Sequence, residues 1–250
     1  MVHVRAGGTP APPKASPNPT PLLIHEEGKG SMRLFSDSIG RKVVMAITGL
    51  LMVLFVIGHM LGNLTIFAGP HGLNGYAEHL HELAPVVWIT RVVMGTAVLL
   101  HLFLSIKITV ENSAAKPDRY AVQNSLRATF ASKNMIWTGA IIGAFILFHL
   151  LHFTFRVTPD VGAFAGTVPG DVYGMVTTAL SATVTGIVYI VAMVSLFFHL
   201  SHGVQSMFQT LGLSNAFLLP RWGAVGKTLS VVFLVGFASI PAVILVGILR

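Results

Sequence analysis

Residues 43–67 read VVMAITGLLMVLFVIGHMLGNLTIF, an apolar run whose one ionisable side chain is His59. An α-helix needs about 20 such residues to cross a bilayer, because each residue adds about 1.5 Å. Similar runs recur along the chain, and they are continuous rather than alternating, which argues against a β-barrel. The sequence therefore predicts an all-α membrane protein, a bundle of five transmembrane helices at about 43–67, 86–110, 134–155, 173–204 and 223–249.

The composition agrees with a membrane location. Hydrophobic residues make up 53% of the chain and charged residues only 10%, whereas soluble domains carry about 25% charged residues. The formal charge of +7 does not indicate nucleic-acid binding, because the basic residues flank apolar runs. Cysteine is absent, which excludes disulfides, thiolate-bound iron–sulfur clusters and covalent c-type haem within this chain.

Charge and proline content organise the rest of the chain. Residues 1–31 hold six prolines and no apolar block, so we expect a mobile arm before a membrane domain of residues 32–250. If the N-terminus is cytoplasmic, only Arg91, Arg156 and Arg250 of the 16 basic residues lie outside. The positive-inside rule then predicts a multi-pass protein of the inner (cytoplasmic) cell membrane, with its C-terminus outside.

Histidines within the spans are the main functional signal. An ionisable side chain at membrane depth is costly and usually functional, although a lone histidine can simply bond a neighbouring helix. Four successive spans supply at least one each, near the outer leaflet on the first and third and nearer the inner leaflet on the second and fourth. Two facing pairs at two depths suit two bis-histidine haems b. The candidates are His59, His101, His149, His152, His199 and His202.

Small residues accompany these histidines. A flat porphyrin between helices requires small neighbours, but the same residues also serve ordinary close helix packing. The glycines concerned are Gly58, Gly62, Gly95, Gly139 and Gly143. Both interpretations stay open from the sequence, which shows no internal repeat of useful strength.

Several fragments carry a family resemblance. They are SIGRKVVMAITGLLM (38–52), IGHMLGN (57–63), an arginine ten residues before His101, FILFHLLHF (145–153), and FFHLSHG (197–203) followed by QTLG. In these fragments the chain, over about residues 34–230, resembles the di-haem cytochrome b subunit of succinate:quinone oxidoreductases, the membrane anchor of respiratory complex II.

The resemblance implies one axial ligand on each of the first four helices. The family histidine on the third helix closes an F-x-x-x-H run, which matches Phe145 and His149. On the fourth it precedes a turn glycine by 13 residues, which matches His199 and Gly212. We therefore expect His59 with His149 at an outer haem and His101 with His199 at an inner haem. His152 and His202 would bond propionates or be the true ligands instead.

The resemblance also implies a larger enzyme of the tricarboxylic acid cycle. A flavoprotein subunit would interconvert succinate and fumarate, and an iron–sulfur subunit, docked at the basic inner loop 107–133, would exchange electrons with this chain. The chain would pass them to or from menaquinone or ubiquinone. Alternatives are a quinol:fumarate reductase anchor and the cytochrome b anchor of another quinone-linked dehydrogenase. A histidine-lined transporter is less suitable, because all nine acidic residues lie outside the predicted spans.

Polar groups at the two membrane faces complete the predicted site. The segment GLNGYAEHLHELAPVVWITR (72–91) offers an aromatic wall, donors and a protonatable group for a quinone, or else an interfacial aromatic belt. Its candidates are Tyr76, His81, Glu82 and Trp88, and Arg91 could bond an outer propionate. On the inner face, Ser38, Arg41 and Lys42 are candidate propionate partners, and Ser38 and Arg41 form the competing quinone location.

Overall fold

The computed structural model describes residues 37–115 and 129–250, and within these ranges the chain is helical without β-strands. The predicted arm, residues 32–36 before the first span and residues 116–128 of the 107–133 loop lie outside the described residues. The helices are α1 (Ser38–Leu64), α2 (Gly69–Glu82), α3 (Ala84–Ala114), α4 (Phe130–Lys133), α5 (Met135–His149), α6 (Pro159–Thr167), α7 (Val172–Ser181), α8 (Thr183–Thr210) and α9 (Leu218–Leu245).

Within the described ranges, five helical segments are long and apolar enough to cross a membrane. They contain α1, α3, α5, α8 and α9. Their outward faces are apolar, with Trp137 69% and Val184 77% exposed, as expected of lipid-facing positions. The prediction of an all-helical, multi-pass membrane protein with five spans is confirmed.

The fourth span begins later than predicted. The apolar stretch 173–204 is divided at Ala182, whose backbone is extended, so that the short α7 ends and α8 begins at Thr183. A continuous helix over that stretch would measure about 48 Å, well beyond the hydrocarbon thickness of a bilayer. The spanning helix continues instead to Thr210, and Gly212, with φ of 74°, terminates it.

The long helices alternate in direction. We call the end at which α1 begins the proximal end and the opposite one the distal end. Asp37 caps α1 proximally by accepting a hydrogen bond from the Gly40 amide at 2.6 Å. At the distal end α2 joins α7, because the Asn74 side chain donates to the Asp171 carboxylate at 3.0 Å and accepts from the Tyr173 amide at 2.8 Å.

The fifth long helix, α9, packs mainly against α8 and also contacts α1 and the short α7. Phe233 of α9 is buried with Met60 of α1 and with Leu200 and Val204 of α8. Pro241 is buried inside α9, which continues to Leu245. The packing leaves α1, α3, α5 and α8 to carry the candidate histidines.

Candidate functional site in two histidine pairs

The distal pair joins α1 and α5. The His59 and His149 ring centres lie 5.9 Å apart, with their planes at 85°. A phenylalanine one turn earlier flanks each ring: Phe55 stacks on His59 at 5.3 Å, and Phe145 lies 5.8 Å from His149. The two imidazoles therefore face each other, and each is flanked by an apolar aromatic side chain.

The proximal pair joins α3 and α8. The His101 and His199 ring centres lie 6.4 Å apart, with their planes at 64°. His101 lies at the level of Thr48 on α1, and His199 lies at the level of Thr138 on α5. Each of these threonines precedes a distal histidine on its own helix by eleven residues, so the two pairs are separated by about 16 Å along the bundle.

Both pairs suit a metal that takes two axial imidazoles. Two metal–imidazole bonds of about 2 Å, plus half a ring at each end, place the ring centres about 6 Å apart. In the described part of the chain no three or more His, Cys, Asp or Glu side chains gather as a possible metal site. A haem needs only two protein ligands, because its macrocycle supplies the others.

The hydrogen bonds of His101 determine which ring nitrogen is available. Its Nδ1 lies 3.1 Å from the Met45 carbonyl oxygen and 3.3 Å from the Thr48 hydroxyl. A carbonyl oxygen can only accept, so Nδ1 carries the proton and donates it. The Nε2 of a neutral ring then has a free lone pair, as an axial ligand requires.

An equivalent contact between a threonine hydroxyl and a histidine Nδ1 joins α5 and α8. Thr138 Oγ1 lies 3.3 Å from His199 Nδ1. A Cβ placed at Gly139 would lie 3.2 Å from His199 Cε1. The glycine therefore allows the ring to approach α5 closely.

Tyr189 connects the distal pair to the distal surface. Its hydroxyl lies 3.3 Å from His149 Nδ1 and 3.0 Å from His152 Nδ1. His152 Nε2 in turn lies 3.1 Å from the Asp160 carboxylate, whose side chain is 38% exposed. One assignment satisfies every group: His149 donates to Tyr189, Tyr189 donates to His152, and His152 donates to Asp160.

This chain of bonds bears on the choice between His149 and His152. His152 is only 1% exposed, and both of its ring nitrogens have partners. It lies in a π-helical turn, Leu150–Thr154, in which the Phe155 amide bonds the Leu150 carbonyl, and such turns are frequent at functional sites. Of these two histidines, His149 is the one whose ring faces His59 across the bundle. On α8, His202 is half-buried one turn beyond His199.

At the proximal end, Arg41 takes part in an ion pair between helices. Its Nη2 lies 2.6 Å from Glu111 Oε2, and the arginine is buried while the glutamate is half-exposed. Glu111 lies inside α3, which runs past the predicted end of the second span. Ser38 and Lys42 are exposed nearby on α1. The proximal end thus combines a buried cation with exposed polar groups.

The structure does not gather all the candidate quinone residues. His81 bonds the Ala77 carbonyl of its own helix at 2.8 Å, and Glu82 pairs with His79 at 3.3 Å. Trp88 is 62% exposed, and the Arg91 guanidinium lies 4.9 Å from its ring centre. Tyr76 is half-buried and packs on Gly62. Among these candidates, Arg91 and Trp88 make a cation–π contact with each other.

The glycines serve different purposes. A Cβ at Gly62 would overlap the Tyr76 ring, and one at Gly139 would press on His199, so these two allow close packing. Gly58 and Gly95 have open space beside them, and at Gly143 the nearest atom is a Leu102 methyl at 4.0 Å. The porphyrin interpretation thus stays a prediction for these three.

Sequence reasoning missed four polar residues of the site: Thr48, Thr138, Tyr189 and Asp160. Threonine on a transmembrane helix usually bonds its own backbone, and this makes it unremarkable in a sequence. A usable signal was present nevertheless, because the dipeptide Thr-Gly precedes a histidine at the same distance on the first and third spans.

Comparison of the chain with family models, curated proteins and solved structures found no match in any of the three.

Proposed function

We propose that this chain is a di-haem cytochrome b that transfers electrons within the membrane. The observation that supports this most directly is the arrangement of four histidines on four helices as two facing pairs about 16 Å apart along the bundle. His59 and His149 would hold the distal haem b, and His101 and His199 the proximal one. When bound, the haems supply one-electron chemistry; the chain positions them and excludes water.

Each residue then has a defined task. The four imidazoles would hold the haem irons through Nε2, and the acceptors that contact Nδ1 of His101, His149 and His199 would keep the proton on that nitrogen. The buried Arg41 cation stabilises negative charge at the proximal end, either on a propionate or on added electrons. Arg91 and Trp88 are available at the distal end for the corresponding role.

We further propose that the partners are an iron–sulfur subunit and a flavoprotein subunit of succinate dehydrogenase, in which this chain anchors the complex and exchanges electrons with quinone. The sequence resemblance supports this choice, together with the absence of cysteine from the chain. A quinol:fumarate reductase anchor or another dehydrogenase anchor would use the same two haem sites. Identification of the subunits that co-purify, and assay of succinate- and fumarate-linked activity, would distinguish these.

The orientation follows from charge. The proximal end carries Arg41, Lys42, Lys107 and Lys133, so we propose that it faces the cytoplasm across the cell membrane. The iron–sulfur subunit would then dock on this side. Attachment of a reporter enzyme to each terminus would test this: the N-terminal fusion should report cytoplasm and the C-terminal fusion the outside.

We place the quinone at the distal end, beside Tyr76, His81, Glu82 and Trp88. Two haems are needed only if electrons must cross from one face to the other. The test is Glu82→Gln and His81→Ala, assayed for quinone-linked activity with haem content intact. If both variants keep full activity while Arg41→Gln loses it, the quinone binds at the proximal face.

The haem assignment has its own test. A reduced-minus-oxidised spectrum of the purified chain should show a b-type band, and a pyridine haemochrome assay should give two haems per chain. His101→Ala or His199→Ala should remove the proximal haem, and His59→Ala or His149→Ala the distal one. The exposed His79, changed to Ala, is the matched control and should keep both. A fully assembled wild type with one haem or none would contradict the proposal.

A further inference from the structure

Two stretches of the chain share a pattern that becomes visible once their contacts are known. Residues 45–59 read MAITGLLMVLFVIGH, and residues 135–149 read MIWTGAIIGAFILFH. Methionine, threonine, glycine, phenylalanine and histidine occupy the same positions in both. The first stretch lies on α1 and the second on α5, and both run from the proximal to the distal end.

The two stretches also make equivalent contacts with the histidines of neighbouring helices. Thr48 of α1 contacts Nδ1 of His101 on α3, the next long helix, and Thr138 of α5 contacts Nδ1 of His199 on α8, again the next. Both distances are 3.3 Å. The glycine that follows each threonine lies against the same ring atom, Cε1. Two α-hairpins thus make the same contact, and the two rings they hold face each other.

In these contacts each threonine hydroxyl accepts a hydrogen bond from the imidazole. Thr48 donates to the Val44 and Met45 carbonyls of its own helix, both at 3.0 Å, and Thr138 donates to the Asn134 and Met135 carbonyls. Its proton is therefore directed along the helix. The oxygen lone pairs are left to accept from the imidazole. For His101 they act together with the Met45 carbonyl, and the acceptors keep the proton on Nδ1 and Nε2 free.

We propose that Thr48 and Thr138 are positioning residues that fix the tautomer and orientation of His101 and His199 for axial ligation at the proximal site. The inference rests on the proposed haem function and extends it from the ligands to the groups that hold them. Both threonines are buried, 5% and 8% exposed, so water does not replace them easily. An acceptor on Nδ1 also makes the ligand more basic, which favours the oxidised metal.

The test substitutes each threonine in the full chain by valine, which has the same shape without a hydroxyl, and by serine, which keeps the hydroxyl. Thr138→Val should weaken proximal haem binding about tenfold, and Thr48→Val should weaken it less, because the Met45 carbonyl still accepts from His101 Nδ1. Both variants should raise the midpoint potential of the haem that remains. Thr48→Ser and Thr138→Ser should restore both properties. The distal haem, recognised by the loss of its signal in His59→Ala, should keep its spectrum and potential.

Thr96 is the matched control. It lies on α3, is exposed, and bonds only its own helix, donating to the Val92 carbonyl at 2.9 Å. Thr96→Val should leave both haems unchanged. The inference is overturned if the buried valine variants keep a wild-type proximal potential and affinity, or if they disturb both haems equally, as a general loss of packing would. A wild type without haem would overturn the proposed function itself, and this inference with it.

Discussion

Replacement of Tyr189 by phenylalanine removes one hydroxyl and no carbon from a buried network. That hydroxyl lies within 3.3 Å of His149 Nδ1 and 3.0 Å of His152 Nδ1. Since His152 is 1% exposed, water cannot take the place of the hydroxyl. A buried polar group without its partner costs about 1–3 kcal/mol. With two partners affected, we expect Tyr189→Phe to lower the free energy of unfolding by about 2–4 kcal/mol.

A double-mutant cycle separates the two bonds. Phe148 and Phe153 surround His152 with ring centres at 5.0 and 4.3 Å, so His152→Phe places an apolar ring among apolar rings. In that background Tyr189→Phe should cost less, because only the bond to His149 remains to be lost. We expect a coupling energy of about 1–2 kcal/mol between the two positions.

The assay is reversible unfolding in mixed micelles, with haem content measured for every variant. Asp160→Asn is the conservative control, because an amide oxygen still accepts from His152 Nε2, and it should cost less than Asp160→Ala. Tyr76→Phe gives, for comparison, the change in the free energy of unfolding when the hydroxyl of a half-buried tyrosine is removed. A Tyr189→Phe variant within about 0.5 kcal/mol of wild type, or strict additivity in the cycle, would refute the network.

Three further outcomes follow from single contacts. Hydrogen bonds from the Gly174 amide, and to a smaller extent from the Asn74 side chain, hold the pKa of Asp171 below its ordinary value. The stability that these bonds contribute is present above the ordinary pKa and is lost as the pH falls through the pKa of the folded state. Thermal melts from about pH 7 to pH 3 should therefore show a loss of stability on the acid side that Asp171→Ala lacks. Gly62→Val should overlap the Tyr76 ring and lower the melting temperature, equivalent to about 1–3 kcal/mol, while Gly58→Val, with open space beside it, should not. Arg41→Gln should lower the potential of the proximal haem, since a nearby cation favours the electron-rich state; an unchanged redox titration would contradict this.

Much of the fold was accessible from the sequence for one physical reason. In a bilayer the backbone must satisfy its own hydrogen bonds, so an apolar run of sufficient length has few alternatives to a helix. The run at 173–204 shows where this reasoning fails, because hydropathy does not record the extended backbone at Ala182 that ends α7 and restarts the helix. Length alone indicated that one helix there would be too long.

The site was accessible in part. Histidines are rare in spans and attract attention, so two pairs at two depths could be anticipated from the sequence. The choice of His149 and His199 as their members rested on the family resemblance. The residues that hold the histidines could not be anticipated, because Thr48 and Thr138 look like ordinary membrane threonines until a ring from another helix is placed beside them. Tyr189 is a similar case, because its hydroxyl acquires a role only when His149 and His152 of the preceding span are placed beside it.

The likeness between the two hairpins also shows where they differ. Tyr189 precedes His199 by ten residues, and the residue at the corresponding place before His101 is Arg91. Tyr189 is buried and bonded to His149, whereas Arg91 is exposed and lies over Trp88. The distal pair is therefore held by a fixed network on the α5–α8 side, whereas the corresponding position on α3 carries an exposed cation that lies over an indole. A quinone exchanging with the membrane needs the accessible side, and this asymmetry supports placing it beside Trp88 rather than beside Tyr189.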